Sequence, residues 1–246
     1  DILDSLNSGG VAILPRDSTF YQEWKERLGH KRAITFGIHP DSDFRIGDIH
    51  VDIRKSLTNF KLLHQGDIIS CKINAIGGHN ALNSGAALSS LYALGLDIVR
   101  AASSLNDVLF PYRRLTVYSG IKDSILVDDT YNANPDSVKS ALDEVSKIKN
   151  LKKLFIAGQM EELGSKSIEC HKEVIKYSEQ RVDEIWCVGS LWEEAMEETT
   201  LNKRWFRNNN DLIDYALDNI DANYLVLLKG SRSSKIDMIA DKLKKS

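Results

Sequence analysis

Residues 124–145 read SILVDDTYNANPDSVKSALDEV. An apolar run, SILV, gives way to a polar loop from Asp128 to Asn134. Val138, Ala141, Leu142, Val145 and Ile148 then recur as one face of a helix. Asn134 suits an N-cap and Pro135 the first helical position, where its missing N–H would have had no partner anyway. The stretch therefore predicts a strand, its exit loop and a helix. The same alternation continues through KKLFIAG (152–158), SIECHKEVIKYSEQ (167–180), EIWCVG (184–189), SLWEEAMEE (190–198), LIDYALDNI (212–220), NYLVLLKG (223–230) and KIDMIADKLKK (235–245). Apolar runs alternating with amphipathic stretches at this spacing predict βαβ units, hence a mainly parallel sheet with helices on both faces.

Upstream the texture differs. GGVAILPRD (9–17), RAITFGI (32–38), FRIGDIHVDI (44–53) and KLLHQGDIISCKINAIGG (61–78) are β-rich segments punctuated by Gly, Asp and Asn turns. HNALNSGAALSSLYALGLD (79–97) carries Ala and Leu at helical spacing, and DIVRAASSL (97–105) starts a further short helix. The fold expected is α/β in two domains: residues 1–112, β-rich with helices, and residues 113–246, Rossmann-like. Ile2, Leu3 and Leu6 are spaced like the tail of an amphipathic helix, and the chain opens without Met, which suggests a fragment.

Composition narrows the function classes. The 246 residues are 42% hydrophobic and 27% charged, as in ordinary globular proteins. With 32 Lys+Arg against 35 Asp+Glu, the net charge of −3 gives no global field for nucleic acid or an anionic membrane. Cys71, Cys170 and Cys187 are odd in number and widely spaced, which argues for free thiols in a cytoplasmic protein. No apolar run approaches a membrane span. No G-x-x-x-x-G-K-[ST] phosphate loop occurs in the chain.

Three polar clusters stand out. In open α/β sheets ligands sit outside the carboxyl ends of strands, where Asp128, Asp129, Tyr131 and Asn132 fall. One cap uses one side chain, so these four are left over for turn chemistry or a ligand. In GGHNALN (77–83), Gly77 and Gly78 allow close backbone approach, Asn80 could cap the helix, and Asn83 lies three residues on. In LKGSRSSK (228–235), Lys229, Ser231 and Arg232 follow an apolar strand, where cations and helix N–H groups favour an anion. His30, His39, His50 and His64 lack metal-ligand spacing and read as surface or structural, and His171, inside a helix, reads as structural.

Taken together, DDTYNANPDS, GGHNALNSGAALSSLYALG, AGQMEELG followed by His171, and LKGSRS resemble the Mur ligases in order and spacing, and within them the D-alanyl-D-alanine-adding branch. The resemblance implies the later part of a central ATP-binding domain followed by a Rossmann-like ligase domain. Its phosphate loop and main Mg²⁺ ligands are expected upstream of Asp1, so no metal ligands are assigned in this chain, and residues 1–246 alone are expected to bind ATP weakly and not to turn over. It implies ATP-dependent amide formation through an acyl phosphate, with UDP-N-acetylmuramoyl-tripeptide and D-alanyl-D-alanine as substrates, ATP and Mg²⁺ as cofactors, and a monomer. By similarity His79, Asn80 and Asn83 lie beside adenine, and Asp128 or Asp129 near the ribose. Tyr131, Asn132 and Asn134 face the acceptor dipeptide or close the cleft. Lys229, Ser231 and Arg232 meet substrate carboxylate or phosphate, with Lys229, Arg232 and Asp128 taken as catalytic.

The sequence also departs from the family. LPRD replaces Asn-Ala-Asp, leaving only Asp17, and proline has no N–H to offer. Pro-Gly-Arg becomes PYRR, so either Arg113 or Arg114 is the family arginine. Gly-Asp-Met becomes GQM, with Gln159 for the acid, while Glu162 and Gly164 remain. A folate-polyglutamate or cyanophycin type of amide ligase, or a non-catalytic binding module, would share the fold; TYNAN argues against the first.

Overall fold

A computed structural model describes residues 2–197 and 199–245. Glu198, the last residue of the amphipathic stretch 190–198, lies outside the described residues. The chain divides into two compact units, Asp1–Phe110 and Pro111–Ser246.

The first unit is built on strands β1 (Val11–Pro15), β2 (Arg32–Gly37), β3 (Phe44–Asp52), β4 (Leu57–His64) and β5 (Asp67–Ile73), paired in chain order. β1, β2 and β3 are parallel, and β3, β4 and β5 form antiparallel hairpins. Parallel neighbours need a crossover, and between β1 and β2 it is helix α1 (Tyr21–Leu28). The sequence reading passed over α1 as part of a strand-rich run, although Tyr21, Trp24 and Leu28 carry helical spacing. Helices α2 (Gly78–Ala93) and α3 (Ile98–Ser103) follow, the second capped by Asp97. Phe44, Ile46, Leu62 and Ile73 are buried together with Leu88 of α2. Residues 2–5 form turns rather than the expected helix tail, while Leu3 and Leu6 pack on Leu14 and Leu28. One turn carries the full nucleation cost of a helix with few bonds to offset it.

The second unit contains β6 (Thr116–Ser119), β7 (Ile125–Asp128), α4 (Pro135–Ser146), β8 (Lys152–Gly158), α5 (Ser167–Ser178), β9 (Glu184–Val188) and α6 (Ser190–Ala195). It ends with β10 (Asn202–Phe206), α7 (Asn209–Asn219), β11 (Tyr224–Lys229) and α8 (Ile236–Leu243). Strand order is β10-β9-β8-β11-β7-β6, parallel throughout except for β6, which runs antiparallel to β7. Every residue of β7, β9 and β11 is buried, as a sheet covered on both faces requires. β10 escaped the sequence reading because it is an edge strand: Asn202, Lys203 and Arg204 are exposed, and such charge protects an open edge. The α4 cap forms as the sequence predicts: Asn134 Oδ1 accepts from Ser137 N at 2.8 Å, and Asn134 N donates to Ser137 Oγ at 3.1 Å.

Candidate functional site

Three neighbouring parallel strands, β8, β11 and β7, end side by side in the second unit. Their exit loops carry Gln159 to Glu162, Gly230 to Ser233, and Asp129 to Asn134. Between them opens a cleft of about 920 Å³ lined by Tyr131, Asn132, Glu161, Glu162, Ser231, Arg232 and Ser233.

Short contacts bind the loops to one another. Lys229 Nζ lies 2.6 Å from Asp129 Oδ2 and donates to Asn132 O at 2.9 Å. Ser231 N donates to Gln159 O at 2.9 Å, and Ser231 Oγ accepts from Glu161 N at 2.8 Å. The glycines at the strand ends permit this closeness: a Cβ on Gly230 would stand 2.9 Å from Gly158 Cα. His171, fully buried, is the remaining prop. Its Nε2 accepts from Met160 N at 3.1 Å, and its Nδ1 lies 2.6 Å from Ser167 O, so the neutral ring donates from Nδ1. Burial pulls its pKa below the ordinary value of 6.5, against the opposing bond to Ser167. The ring meets Trp192 edge-on at 4.5 Å between centroids. His171 is thus structural: it holds the turn that presents Glu161 and Glu162.

Several residues expected to face substrate are turned inward. Asp128 is fully buried; Oδ1 accepts from Thr130 N and Oγ1 at 3.2 and 2.6 Å, and Oδ2 lies 3.2 Å from Lys244 Nζ. Burial opposes the charge of Lys244, but its bonds to Asp241 and Tyr112 and the field of Asp128 outweigh this and raise its pKa. Lys229, 3% exposed, serves Asp129 and the Asn132 carbonyl rather than the cleft. The Asn134 side chain is committed to its cap. Ser231 reaches the cleft wall, yet its hydroxyl joins two loops. These four support the site; a strand-exit position reveals proximity but not the direction a side chain takes.

Arg113 and Arg114 part ways. Arg113, at a left-handed φ of +60°, forms ion pairs with Asp237 and, at 2.9 Å, with Asp241 of α8. Arg114 is exposed and lies over the Tyr131 ring, 4.4 Å from its centroid. Gln159 turns from the cleft: its Oε1 accepts from Leu191 N at 3.2 Å, at the start of α6. Glu161 was passed over in the sequence because attention fell on Gln159; the available signal was its place, three residues after the end of an apolar strand.

In the first unit, Gly77 stands before α2 with φ of +108°, a conformation suited to glycine. Asn80 is the third residue of α2, not its cap, because the helix starts at Gly78. Its Nδ2 donates to Ile76 O at 2.8 Å, leaving it 9% exposed, whereas Asn83 is exposed and His79 half-buried. Asp17 accepts from Ile38 N and His39 N at 2.7 and 2.9 Å, so it organises the loop after β2. Pro15 closes β1, an edge strand where a missing donor is tolerated. Among the described residues no group of three or more His, Cys, Asp or Glu could hold a metal ion, and no helix is long and apolar enough to cross a membrane.

A mostly parallel α/β sheet with a polar cleft at its strand exits, preceded by a mixed-sheet unit, defines a two-unit α/β protein. Residues 1–91 match the Mur ligase middle domain and residues 113–232 the Mur ligase glutamate ligase domain. The chain belongs to the Mur ligase family. It is 27% identical over 246 residues to the UDP-N-acetylmuramoyl-tripeptide–D-alanyl-D-alanine ligase of Buchnera aphidicola subsp. Baizongia pistaciae, covering 99% of this chain and 53% of that protein. MurF from Acinetobacter baumannii superposes with a TM-score of 0.86 at 24% identity, over 98% of this chain and 53% of that one. MurF from Thermotoga maritima, in complex with ADP, gives 0.79 at 20% identity, over 96% and 53%. The chain thus spans about half the length of the relatives it matches.

Proposed function

We propose that the protein takes part in ATP-dependent formation of the amide between UDP-N-acetylmuramoyl-tripeptide and D-alanyl-D-alanine, as a cytoplasmic monomer in peptidoglycan synthesis. The observation that carries this is the near-complete coverage of the chain by relatives bearing that ligase name. The cleft supports it: its opposed charges and rigid walls suit an acceptor that must be held still.

In the reaction the donor carboxylate attacks the γ-phosphate of ATP, giving an acyl phosphate and ADP. The acceptor amine then attacks the acyl carbon, phosphate leaves and the amine loses a proton. The first step brings two anions together and the second builds negative charge on the acyl oxygen and the departing phosphate, so exposed cations help. Arg114 fits that need, being a free-facing guanidinium with its plane supported by Tyr131. Asn83 offers an exposed amide able to pair with a base edge. Asn80 fits this role less well, since its side-chain N–H₂ already serves Ile76 O. Mg²⁺ is part of the proposal, but the described residues provide no cluster for it, and no step is assigned to it here. Acceptor-dependent phosphate release from ATP by the full-length protein is the test: release with D-alanyl-D-alanine supports the assignment, and release only with glutamate rejects it.

A further inference from the structure

Strands β3, β4 and β5 turn Ile46, Phe60, Leu62, Cys71 and Ile73 to the core of the first unit. The register fixes which side chains share the opposite face, because residues directly across from one another on paired strands point the same way. His50 stands opposite Asn59 and Asn59 opposite Lys72, so these three form one row across the sheet. Lys61 and Ser70, opposite each other, belong to the next row. All five are exposed, and together with Asp48 they line a hollow of about 390 Å³.

The hollow owes its chemistry to a bulge. The pairing of β3 with β4 shifts between Gly47 and His50, and Asp48, inside the shift, takes a left-handed φ of +48°. An extra residue in one strand re-aims the side chains around it. Asp48 Oδ2 lies 2.7 Å from Lys61 Nζ, and the Asp48 carbonyl lies 2.9 Å from His50 Nδ1. The Lys61 hydrogen bond first, then the charges of Lys61, His50 and Arg45, hold the Asp48 carboxyl below its ordinary value. Asp48 is the only acid in the lining, and it is spent on Lys61. Among the described residues, the side chains of Asn59, Ser70 and Lys72 have no hydrogen-bond or ion-pair partner, nor does His50 Nε2. An ammonium, a hydroxyl, a carboxamide and an imidazole edge are thus left, with one positive charge in excess.

We propose that this hollow binds the phosphate group of a small phosphomonoester. Lys72 supplies the opposing charge, Asn59 and Ser70 donate to phosphate oxygens, and one proton is shared between His50 Nε2 and a further oxygen. No covalent bond changes. Donors spread over two rows and three strands suit a phosphate, whose three free oxygens point in different directions. A carboxylate offers two oxygens in one plane and would leave part of the set idle. Space favours an ester over the bare ion: at about 30 Å³ for a water, the five heavy atoms of phosphate leave most of the hollow to the remainder of the molecule. The inference uses no residue of the cleft in the second unit and does not depend on the ligase assignment.

The test is titration of the 246-residue chain with glycerol phosphate, inorganic phosphate and acetate at constant ionic strength, followed by NMR of the histidine ring nitrogens and backbone amides. Glycerol phosphate should shift His50 Nε2 and the amides of residues 59–61 and 70–72 saturably, at least as tightly as inorganic phosphate. Acetate should need at least about tenfold more, and Lys72→Met should weaken glycerol phosphate by about tenfold or more, the range of one lost charge-assisted contact. Lys72→Gln should lose as much, and Asn59→Ala should lose a smaller share. Lys55→Met, an exposed lysine of the same unit outside the lining, should bind as wild type does. Melting temperatures of the Lys72 and Asn59 variants should match wild type, because those side chains make no bonds in the fold. The inference is overturned by unsaturable shifts, by acetate binding as tightly as glycerol phosphate, or by inorganic phosphate binding where the ester does not. Equal losses in Lys55→Met and Lys72→Met would likewise reduce the site to a diffuse positive field.

Discussion

Lys229 Nζ and Asp129 Oδ2 lie 2.6 Å apart, with side chains 3% and 13% exposed, and the same ammonium donates to Asn132 O at 2.9 Å. One cation therefore ties the β11 exit to the β7 exit and shapes the wall that Tyr131 and Asn132 present. Lys229→Met keeps the volume but removes the ammonium that serves Asp129 and the Asn132 carbonyl. Breaking a buried pair from one side costs about 3–5 kcal/mol, less here because Asp129 also accepts from Leu115 N. A loss of about 3 kcal/mol in the urea transition of the second unit is expected. An unchanged midpoint would show that the pair is not a tie.

Adjacent arginines should give opposite phenotypes. Arg113→Ala removes the cation facing Asp237 and leaves Asp241 with Lys244 alone, at 2.8 Å, and should lower the melting temperature of the second unit. Arg114→Ala removes an exposed group, so stability should stay within about 0.5 kcal/mol, while the proposed function requires phosphate release by the full-length protein to fall at least tenfold. Melting curves and phosphate release on the two variants decide this; a stable Arg113→Ala with lost turnover reverses the roles.

His171 makes stability depend on pH in a defined direction. Its folded pKa is lowered by burial, so between that value and 6.5 the unfolded chain binds a proton that the folded chain does not. Stability attributable to this residue is therefore intact above pH 6.5 and declines as pH falls through that window. Protonation would also turn Nε2 from acceptor to donor against Met160 N. Urea midpoints from pH 8 to 5 should fall more steeply for wild type than for His171→Gln. Parallel profiles would remove the histidine from the account.

Much of the second unit was legible because its signals were redundant. The apolar runs 125–127 and 224–228 are buried on both faces, and Asn134 and Pro135 have one obvious job each. β10 was hidden because it satisfies only one neighbour, and α1 because it is short and flanked by strands. The site was legible in position and not in orientation. LKGSRSSK announces cations at a strand exit, but nothing in its spacing says that Lys229 points into the protein while Arg232 points out. Likewise PYRR could not separate Arg113 from Arg114, since the distinction is made by Asp237 and Asp241 more than a hundred residues later. Asn80 looked like a cap because Gly77 and Gly78 could have belonged to a loop; the helix instead begins on Gly78.

Gly230 links packing to recognition. A Cβ there would stand 2.9 Å from Gly158 Cα and 2.5 Å from Ser234 Oγ. The serine can rotate, at the cost of its 2.6 Å bond to Ser231 O; the backbone of Gly158 cannot. Gly230→Ala should therefore push the β11 exit away from β8, destabilising the second unit by about 1–3 kcal/mol, the usual cost of overpacking. Because Ser231 and Arg232 line the cleft from the displaced turn, the proposed function requires the full-length protein's affinity for the acceptor dipeptide to fall even at temperatures where the variant is fully folded. Gly47→Ala is the control: nothing lies within 4 Å of its Cβ position, so neither quantity should move. Thermal unfolding and dipeptide titration of both variants test the coupling. A Gly230→Ala chain with wild-type affinity and stability would mean that the two exits are not held in contact.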